Sequence, residues 1–283
     1  MTYHQIVEIL GAAGVPEPRE DAALLLEHFC GIPRHRLLRG DTEDIISPEL
    51  NSALRRRVNR EPLQYIIGKW FFFGLEFVLN EDCLIPRPDT ELTVEIALGE
   101  LPRNAVFLDV GTGSGAIAVA LLHERPDLRG IGLDVSSDAL RAAASNAAAN
   151  GVADRLTLVE RDVLSGSDPF SDLPTFDGII SNPPYIPTGD LPGLEPELGS
   201  EPRRALDGGE DGMVFYRAIT ASAPAHLKDG GFLLYEIGQN EENAVAAIGA
   251  ENGFCCRQFR DLSGIVRSLL LRRNSGTYRP VFE

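Results

Sequence analysis

The sequence predicts an α/β protein: a doubly wound, mostly parallel sheet of seven strands, with a small helical N-terminal domain joined to it by a β-hairpin. Three observations carry that reading. From about residue 104 onward, short apolar runs alternate with helical runs, the spacing of parallel strands joined by crossover helices. Residues 1–60 instead place apolar residues at intervals of three and four. Between these regions, residues 63–86 are dense in aromatic and β-branched residues punctuated by glycine. A length of 283 residues suits one large α/β domain plus a small one.

Taken in order, Ile6, Ile9 and Leu10 form one apolar stripe, which Pro16 and Pro18 interrupt. Ala22, Leu25, Leu26 and Phe29 then share a helical face, and Gly31 and Pro33 stop that helix. Ser47 as N-cap and Pro48 at the first helical position open a further helix towards Arg60. Residues 1–62 are therefore expected to form the helical domain and 63–86 the hairpin linker. Four of the 13 phenylalanines and the only tryptophan lie between Trp70 and Phe77. An apolar core between domains explains them better than an aromatic ligand cage.

The third region, 87–283, carries the sheet. Strands are expected at Val106–Val110, Gly130–Val135, Leu156–Asp162, Phe176–Ser181 and Gly231–Ile237. Helical runs Ala116–Glu124 and Ser137–Asn150 separate the first three, the second closing at Asn150-Gly151. Phe254–Phe259 and Ser268–Arg272, joined through Asp261–Gly264, read as an antiparallel pair at one edge.

Composition excludes several function classes. The chain has 26 basic and 42 acidic residues, net -16, of which -14 falls on residues 81–283. A protein whose main partner is free nucleic acid presents a basic field, because phosphate neutralisation dominates that affinity. Only Arg55, Arg56, Arg57 and Arg60 form a local basic stripe, either a solvated helix face or a binding patch. The four cysteines form no CxxC pair, and there is no HExxH or GxSxG, so neither a zinc site nor hydrolytic chemistry is indicated. No apolar run reaches 18 residues and no basic, apolar leader opens the chain. A cytoplasmic protein with no membrane partner is expected.

The first strand ends in Asp109-Val-Gly111-Thr112-Gly113-Ser114-Gly115-Ala116. A glycine loop there lets a ligand approach the backbone, and the helix beyond offers free N–H groups. Ala116 satisfies the sixth position of a dinucleotide fingerprint, so the loop alone is ambiguous between a nicotinamide and another adenosine-bearing cofactor. Two acids tilt the balance. Asp109 would repel a pyrophosphate but attract an ammonium or sulfonium. Asp134 ends the second strand, where a carboxylate can accept both ribose hydroxyls. S-adenosyl-L-methionine has that ribose, a sulfonium and no phosphate. Asp162, ending the third strand, is placed to read the adenine amino group with Val163 packed on the ring; an N-cap role is the alternative.

Asn182-Pro183-Pro184-Tyr185 follows the fourth strand, at the switch point beside the glycine loop. Its prolines fix the backbone and remove two N–H donors. The acceptors that remain are the Asn182 side-chain oxygen and the Pro183 carbonyl. That suits methylation of a planar amide or aromatic amine, whose delocalised lone pair makes it a poor nucleophile. Two acceptors can hold its hydrogens and orient the nitrogen, and the Tyr185 ring can stack on the flat group and exclude water. Positioning matters here more than a strong base.

With these residues in view, the sequence resembles the release-factor glutamine methyltransferase family over nearly its whole length. The matching segments are Glu61–Gly68, Phe72-Phe73-Gly74, Leu84–Glu91, Asp109–Gly115, Ser181–Ile186, Glu201–Gly212 and Glu236-Ile-Gly238. The resemblance implies a seven-stranded methyltransferase sheet and transfer of a methyl group from S-adenosyl-L-methionine, leaving S-adenosyl-L-homocysteine. The acceptor it implies is the side-chain amide of the glutamine in the GGQ tripeptide of peptide-chain release factors. It also implies cofactor roles for Gly111–Gly115, Asp134 and Val163, glutamine binding by Asn182–Tyr185, and help from the helical domain in docking the release factor. Asp89 departs from the family's usual glutamate, which matters only if that carboxylate makes a direct contact.

A related ribosomal-protein glutamine methyltransferase typically has serine where this chain has Pro88. An adenine-N6 nucleic-acid methyltransferase would want a basic cleft. A binding protein that keeps the cofactor fold without turnover would not need Asn182–Tyr185 intact. The expectation is a monomeric enzyme with no sequence-specific nucleic-acid partner and no metal.

Overall fold

A computed structural model describes residues 1–37 and 47–273. The last ten residues of the expected third domain, 274–283, lie outside them.

The chain divides into two compact units, one of residues 1–70 with 194–200 and one of 71–193 with 201–283. The first unit is helical: α1 (Tyr3–Ala12), α2 (Pro18–Cys30), α3 (Arg34–Leu37), α4 (Pro48–Val58) and α5 (Leu63–Ile67). Thr2 and Gln5 close a capping box on α1, and the Ser47 hydroxyl accepts from the Leu50 N–H at the start of α4. Ile6, Leu10, Leu25, Leu26, Leu50 and Leu54 form its core. Ile9, expected on the same stripe, is 37% exposed; only Ile6 and Leu10 of that set are buried.

The segment read as a hairpin from residue 63 begins instead with α5. Pro62 opens that turn through its carbonyl, which accepts from Tyr65 and Ile66, and left-handed Gly68 ends it. The strands are shorter than expected: β1 (Lys69–Phe72) and β2 (Leu75–Val78), with Phe73 and Gly74 both at positive φ between them. The β-branched and aromatic composition is the same in helix and strand here, which is why composition alone placed the boundary too early. Phe72 and Phe77 are buried edge to face, whereas Phe71 is 64% exposed.

The second unit continues with α6 (Asp89–Glu100), β3 (Val106–Val110), α7 (Ala116–Glu124), β4 (Arg129–Asp134), α8 (Ser137–Ala149), β5 (Leu156–Glu160) and β6 (Phe176–Ser181). It ends with α9 (Val214–His226), β7 (Leu227–Glu236), α10 (Glu242–Glu251), β8 (Phe254–Arg260) and β9 (Val266–Arg273). The seven-stranded sheet runs β5-β4-β3-β6-β7-β9-β8, with only β9 antiparallel to its neighbours. The chain moves outward from β3 to β5, then returns to place β6 against the other side of β3. That reversal opens a crevice at the carboxyl ends of β3 and β6. Val110 pairs with Ser181 there, and the Ser181 hydroxyl donates to the Val110 carbonyl at 2.7 Å.

Candidate active site

A cleft of about 220 Å³ occupies this crevice. Gly111, Asp134, Asp162, Val163, Asn182 and Pro183 are among its walls. It brings together the ends of β3, β4, β5 and β6, as expected of a switch-point site.

The glycine loop turns sharply over the end of β4. The Gly111 and Thr112 N–H groups both donate to the Leu133 carbonyl, at 2.7 and 2.9 Å. Gly111, Gly113 and Gly115 all have positive φ. At Gly115 a Cβ would also lie 3.2 Å from that of Ala143, so α7 and α8 approach here only because the side chain is missing. A Cβ on Gly111 would meet nothing within 4 Å, so this stretch of backbone faces open cleft. Thr112 and Ser114 are buried beneath it.

Asp134 ties the loop to the next helix. Its Oδ2 accepts from the Gly113 N–H and its Oδ1 from the Ser136 N–H, both at 2.9 Å. Each oxygen keeps acceptor capacity on its cleft side. Asp162 accepts from the Leu164 N–H at 2.8 Å, a local turn that leaves its second oxygen for a ligand. Among the described residues no helix starts at Asp162, so the N-cap alternative does not apply; the side chain closes a turn and lines the cleft.

Asp109 sits elsewhere than expected. It is buried below the loop, not among the cleft walls, with Oδ2 accepting from the Thr112 hydroxyl at 2.6 Å and the Ala118 N–H at 3.3 Å. Its Oδ1 is buried without a partner. Burial pushes its carboxyl up to about 7, against the pull of those two hydrogen bonds. Its visible work is to hold the loop rather than to face a cationic ligand.

Asn182, Pro183 and Pro184 line the cleft; Tyr185 does not. Its half-buried ring packs on the core of the second unit, and burial, helped by Glu236, raises the phenol to about 12. A neutral ring at the edge of the site is what remains of the expected stacking role. The following backbone is clamped by the segment 206–212. Ile186 donates to the Leu206 carbonyl at 3.0 Å, Gly208 to Ile186 at 2.8 Å and Thr188 to Gly209 at 2.8 Å. At Gly212, φ is +76° and a Cβ would stand 2.4 Å from the Tyr185 carbonyl oxygen.

Several residues essential to this geometry had no role assigned from sequence. Thr90, near the start of α6, accepts from Asn182 Nδ2 at 3.2 Å. Glu236, ending β7, is 3% exposed with Oε2 unpartnered. Glu201 accepts from the Ile85 N–H at 3.0 Å and pairs with Arg87, and Glu91 accepts from the Phe73 N–H at 2.8 Å. Asn146, buried in α8, donates to the Ser114 and Val78 carbonyls and accepts from the Val78 N–H. With Ser145 it is one of only two polar residues in the alanine-rich run Ala142–Ala149, and that was the signal for it. Asp89 does make a direct contact, an ion pair with Arg267 at 3.1 Å.

Three of the four arginines of the stripe are engaged inside the helical unit, and the fourth, Arg55, is exposed. Arg57 is buried between Asp21 (2.6 Å) and Glu197 (2.9 Å), and Arg60 holds both oxygens of Glu197. Arg56 pairs with Glu61. Among the described residues there is no cluster of three His, Cys, Asp or Glu side chains suited to a metal ion, and no helix long and apolar enough to cross a membrane.

Comparison with known proteins shows the family and the fold. Residues 2–68 match the family model described as PrmC N-terminal domain, and residues 91–194 match Methyltransferase small domain. A release factor glutamine methyltransferase of Geobacter sulfurreducens is 43% identical over 91% of this chain and 90% of its own length. One of Cereibacter sphaeroides is 45% identical over 84% of this chain and 85% of its own. A methyltransferase structure from Pyrococcus furiosus is 20% identical, covers 71% of this chain and 89% of its own, and superposes with a TM-score of 0.53, a likeness of fold.

Proposed function

We infer the function from the premise that this chain belongs to the release factor glutamine methyltransferase family. It transfers a methyl group from S-adenosyl-L-methionine to the side-chain amide nitrogen of the glutamine in the GGQ tripeptide of peptide-chain release factors. The observation that carries this reading is a single cleft that holds both the acids suited to adenosine, Asp134 and Asp162, and the acceptor-rich Asn182-Pro183-Pro184.

The donor set fits that cofactor. The open backbone at Gly111 gives the ligand close approach, and two carboxylates with spare acceptor capacity suit ribose hydroxyls and a purine amino group. Val163 supplies an apolar face. The cofactor, when bound, supplies an electrophilic methyl group on a sulfonium and departs as S-adenosyl-L-homocysteine. The chain's own part is orientation. Asn182 Oδ1 and the Pro183 carbonyl accept the two hydrogens of the substrate carboxamide, so that its nitrogen presents its face to the methyl group. Pro184 and the clamped backbone of Tyr185 keep those acceptors still. The surplus proton on nitrogen passes to water once the methyl has arrived, when the amide has lost its resonance and become acidic; no strong base is needed. Asp109, Thr112, Gly113, Ser114 and Gly115 shape the loop that faces the cofactor.

The helical residues 1–62 help dock the release factor, 63–86 link, and 87–283 catalyse. The enzyme acts as a cytoplasmic monomer, with neither a membrane nor a sequence-specific nucleic-acid partner. The direct test is transfer of labelled methyl from the cofactor to a purified release factor and to its GGQ→GGA variant. Label on the first alone is the expected result; label on both, or on neither, refutes the substrate. Asn182→Ala should abolish turnover while leaving cofactor affinity within about tenfold, roughly 1.4 kcal/mol.

A further inference from the structure

A carboxamide is nearly symmetric in shape, so nothing in its own outline decides which end of Asn182 faces the cleft. Only the oxygen end is useful there, since the substrate amide brings two N–H donors and would meet two more if Asn182 were turned over. Something behind Asn182 must choose.

The structure shows what lies behind. Asn182 Nδ2 points away from the substrate side to Thr90 Oγ1, at 3.2 Å. Thr90 is 4% exposed and Glu236 3%, and the Glu236 carboxyl lies beside Thr90 and Asn182, whose polar hydrogens favour its ionised form against the effect of burial. Burial raises the Glu236 carboxyl to about 7; above that pH it is ionised and can only accept. Beside it, the Thr90 hydroxyl can give its single hydrogen to the ionised carboxyl and keep lone pairs for Asn182, from which it accepts at 3.2 Å. We propose that Glu236 and Thr90 are positioning residues that set the direction of the hydrogen bonds behind Asn182, holding its NH2 group inward and its Oδ1 towards the substrate. The inference rests on the glutamine-binding role of Asn182 given above and explains why its motif alone is insufficient. Thr90 comes from the segment Leu84–Glu91 and Glu236 from Glu236-Ile-Gly238. Two segments distant in sequence thus converge on one side chain.

Arg267 and Asp89 also face this carboxyl, and their opposite charges largely offset each other. The unpartnered Oε2 is the cost of keeping an acceptor in an enclosed place: a neutral side chain would be easier to bury but would not fix the direction.

The test compares Thr90→Val, which keeps the shape and removes the hydroxyl, with Thr90→Ser, which keeps the hydroxyl. Glu236→Gln, which can either donate or accept, is the third variant. At pH 8 or above, where Glu236 is ionised, the expected result for Thr90→Val and Glu236→Gln is a fall in kcat of about tenfold or more with cofactor Kd within twofold, a hydrogen bond to a charged group being decisive for the orientation. Thr90→Ser should stay within about threefold of the parent. Protein labelled with 15N-asparagine and saturated with cofactor, without release factor, gives an independent readout. The Asn182 side-chain amide signals should move in Thr90→Val and Glu236→Gln and stay in place in Thr90→Ser. Unmoved signals, or full kcat in Thr90→Val, overturn the proposal. Signals that move as expected in a protein that methylates no release factor support the positioning role and refute the substrate instead.

Discussion

Replacing Gly212 by alanine should damage the active site from outside it. Gly212 is absent from the cleft walls, yet its φ of +76° and its nearness to Tyr185 leave no room for a side chain. An alanine in the left-handed region costs about 1–2 kcal/mol. The new Cβ would also stand 2.4 Å from the Tyr185 carbonyl oxygen, a backbone atom that no rotamer change can move. Relief requires a shift of nearly 1 Å, roughly the misplacement that costs about a hundredfold in rate. Gly230→Ala is the matched control: its φ is +78° and its Cβ would meet nothing within 4 Å. Thermal unfolding should therefore show Gly212→Ala several degrees below Gly230→Ala, at roughly 2–4 °C per kcal/mol for a domain of this size. Steady-state kinetics should show kcat reduced about ten- to a hundredfold in the first and unchanged in the second. Calorimetry should find cofactor Kd within about twofold of the parent in both. If the two variants unfold and turn over alike, the collision with Tyr185 is not what that glycine prevents.

Asp134→Ala should weaken cofactor binding about a hundredfold by calorimetry, since it removes a charged acceptor and unties Gly113; unchanged affinity would exclude the ribose role. Asp109→Asn should gain stability over the parent as pH rises. Burial holds the folded carboxyl near 7 while the unfolded one ionises near 3.8, so the parent loses stability between those values and no further above them. Denaturant titrations at pH 4 and pH 8 should show the gap opening only at the higher pH. Glu197→Gln should behave in the opposite sense. Burial works against ionisation of Glu197, but hydrogen bonds from Arg60 and Arg57 outweigh it and lower the carboxyl to about 2. Its stabilisation is complete above the unfolded value of 4.5 and disappears as pH falls towards 2, so the variant should be less stable near neutrality and converge with the parent in acid.

The sheet was legible because burial on both faces writes each parallel strand as a short apolar run, and Val106–Val110 and Phe176–Ser181 are found at the expected bounds. The helices α6, α9 and α10 were not picked out. α6 in particular is apolar on several sides, so periodicity marks it poorly. In the cleft, Asp134, Asp162, Val163 and Asn182–Pro184 were readable because each lies at or within three residues of a strand end. Asp109 was misplaced, since sequence gives its position in the chain but not the turn that buries it under Thr112. Thr90, Glu236 and Asn146 reach their partners across 92, 54 and 32 residues respectively. No local pattern encodes contacts at that range.

The seven residues 194–200 belong with the helices of residues 1–70 although more than a hundred residues of sheet-forming chain lie between. During synthesis, the amino-terminal helices emerge with Arg60 lacking the partner that Glu197 later supplies and with Arg57 half paired. At ordinary rates of elongation, that interval lasts about ten seconds. Helices made before the sheet are thus finished only after most of its strands, and an isolated fragment ending at residue 70 would stay at that unfinished stage.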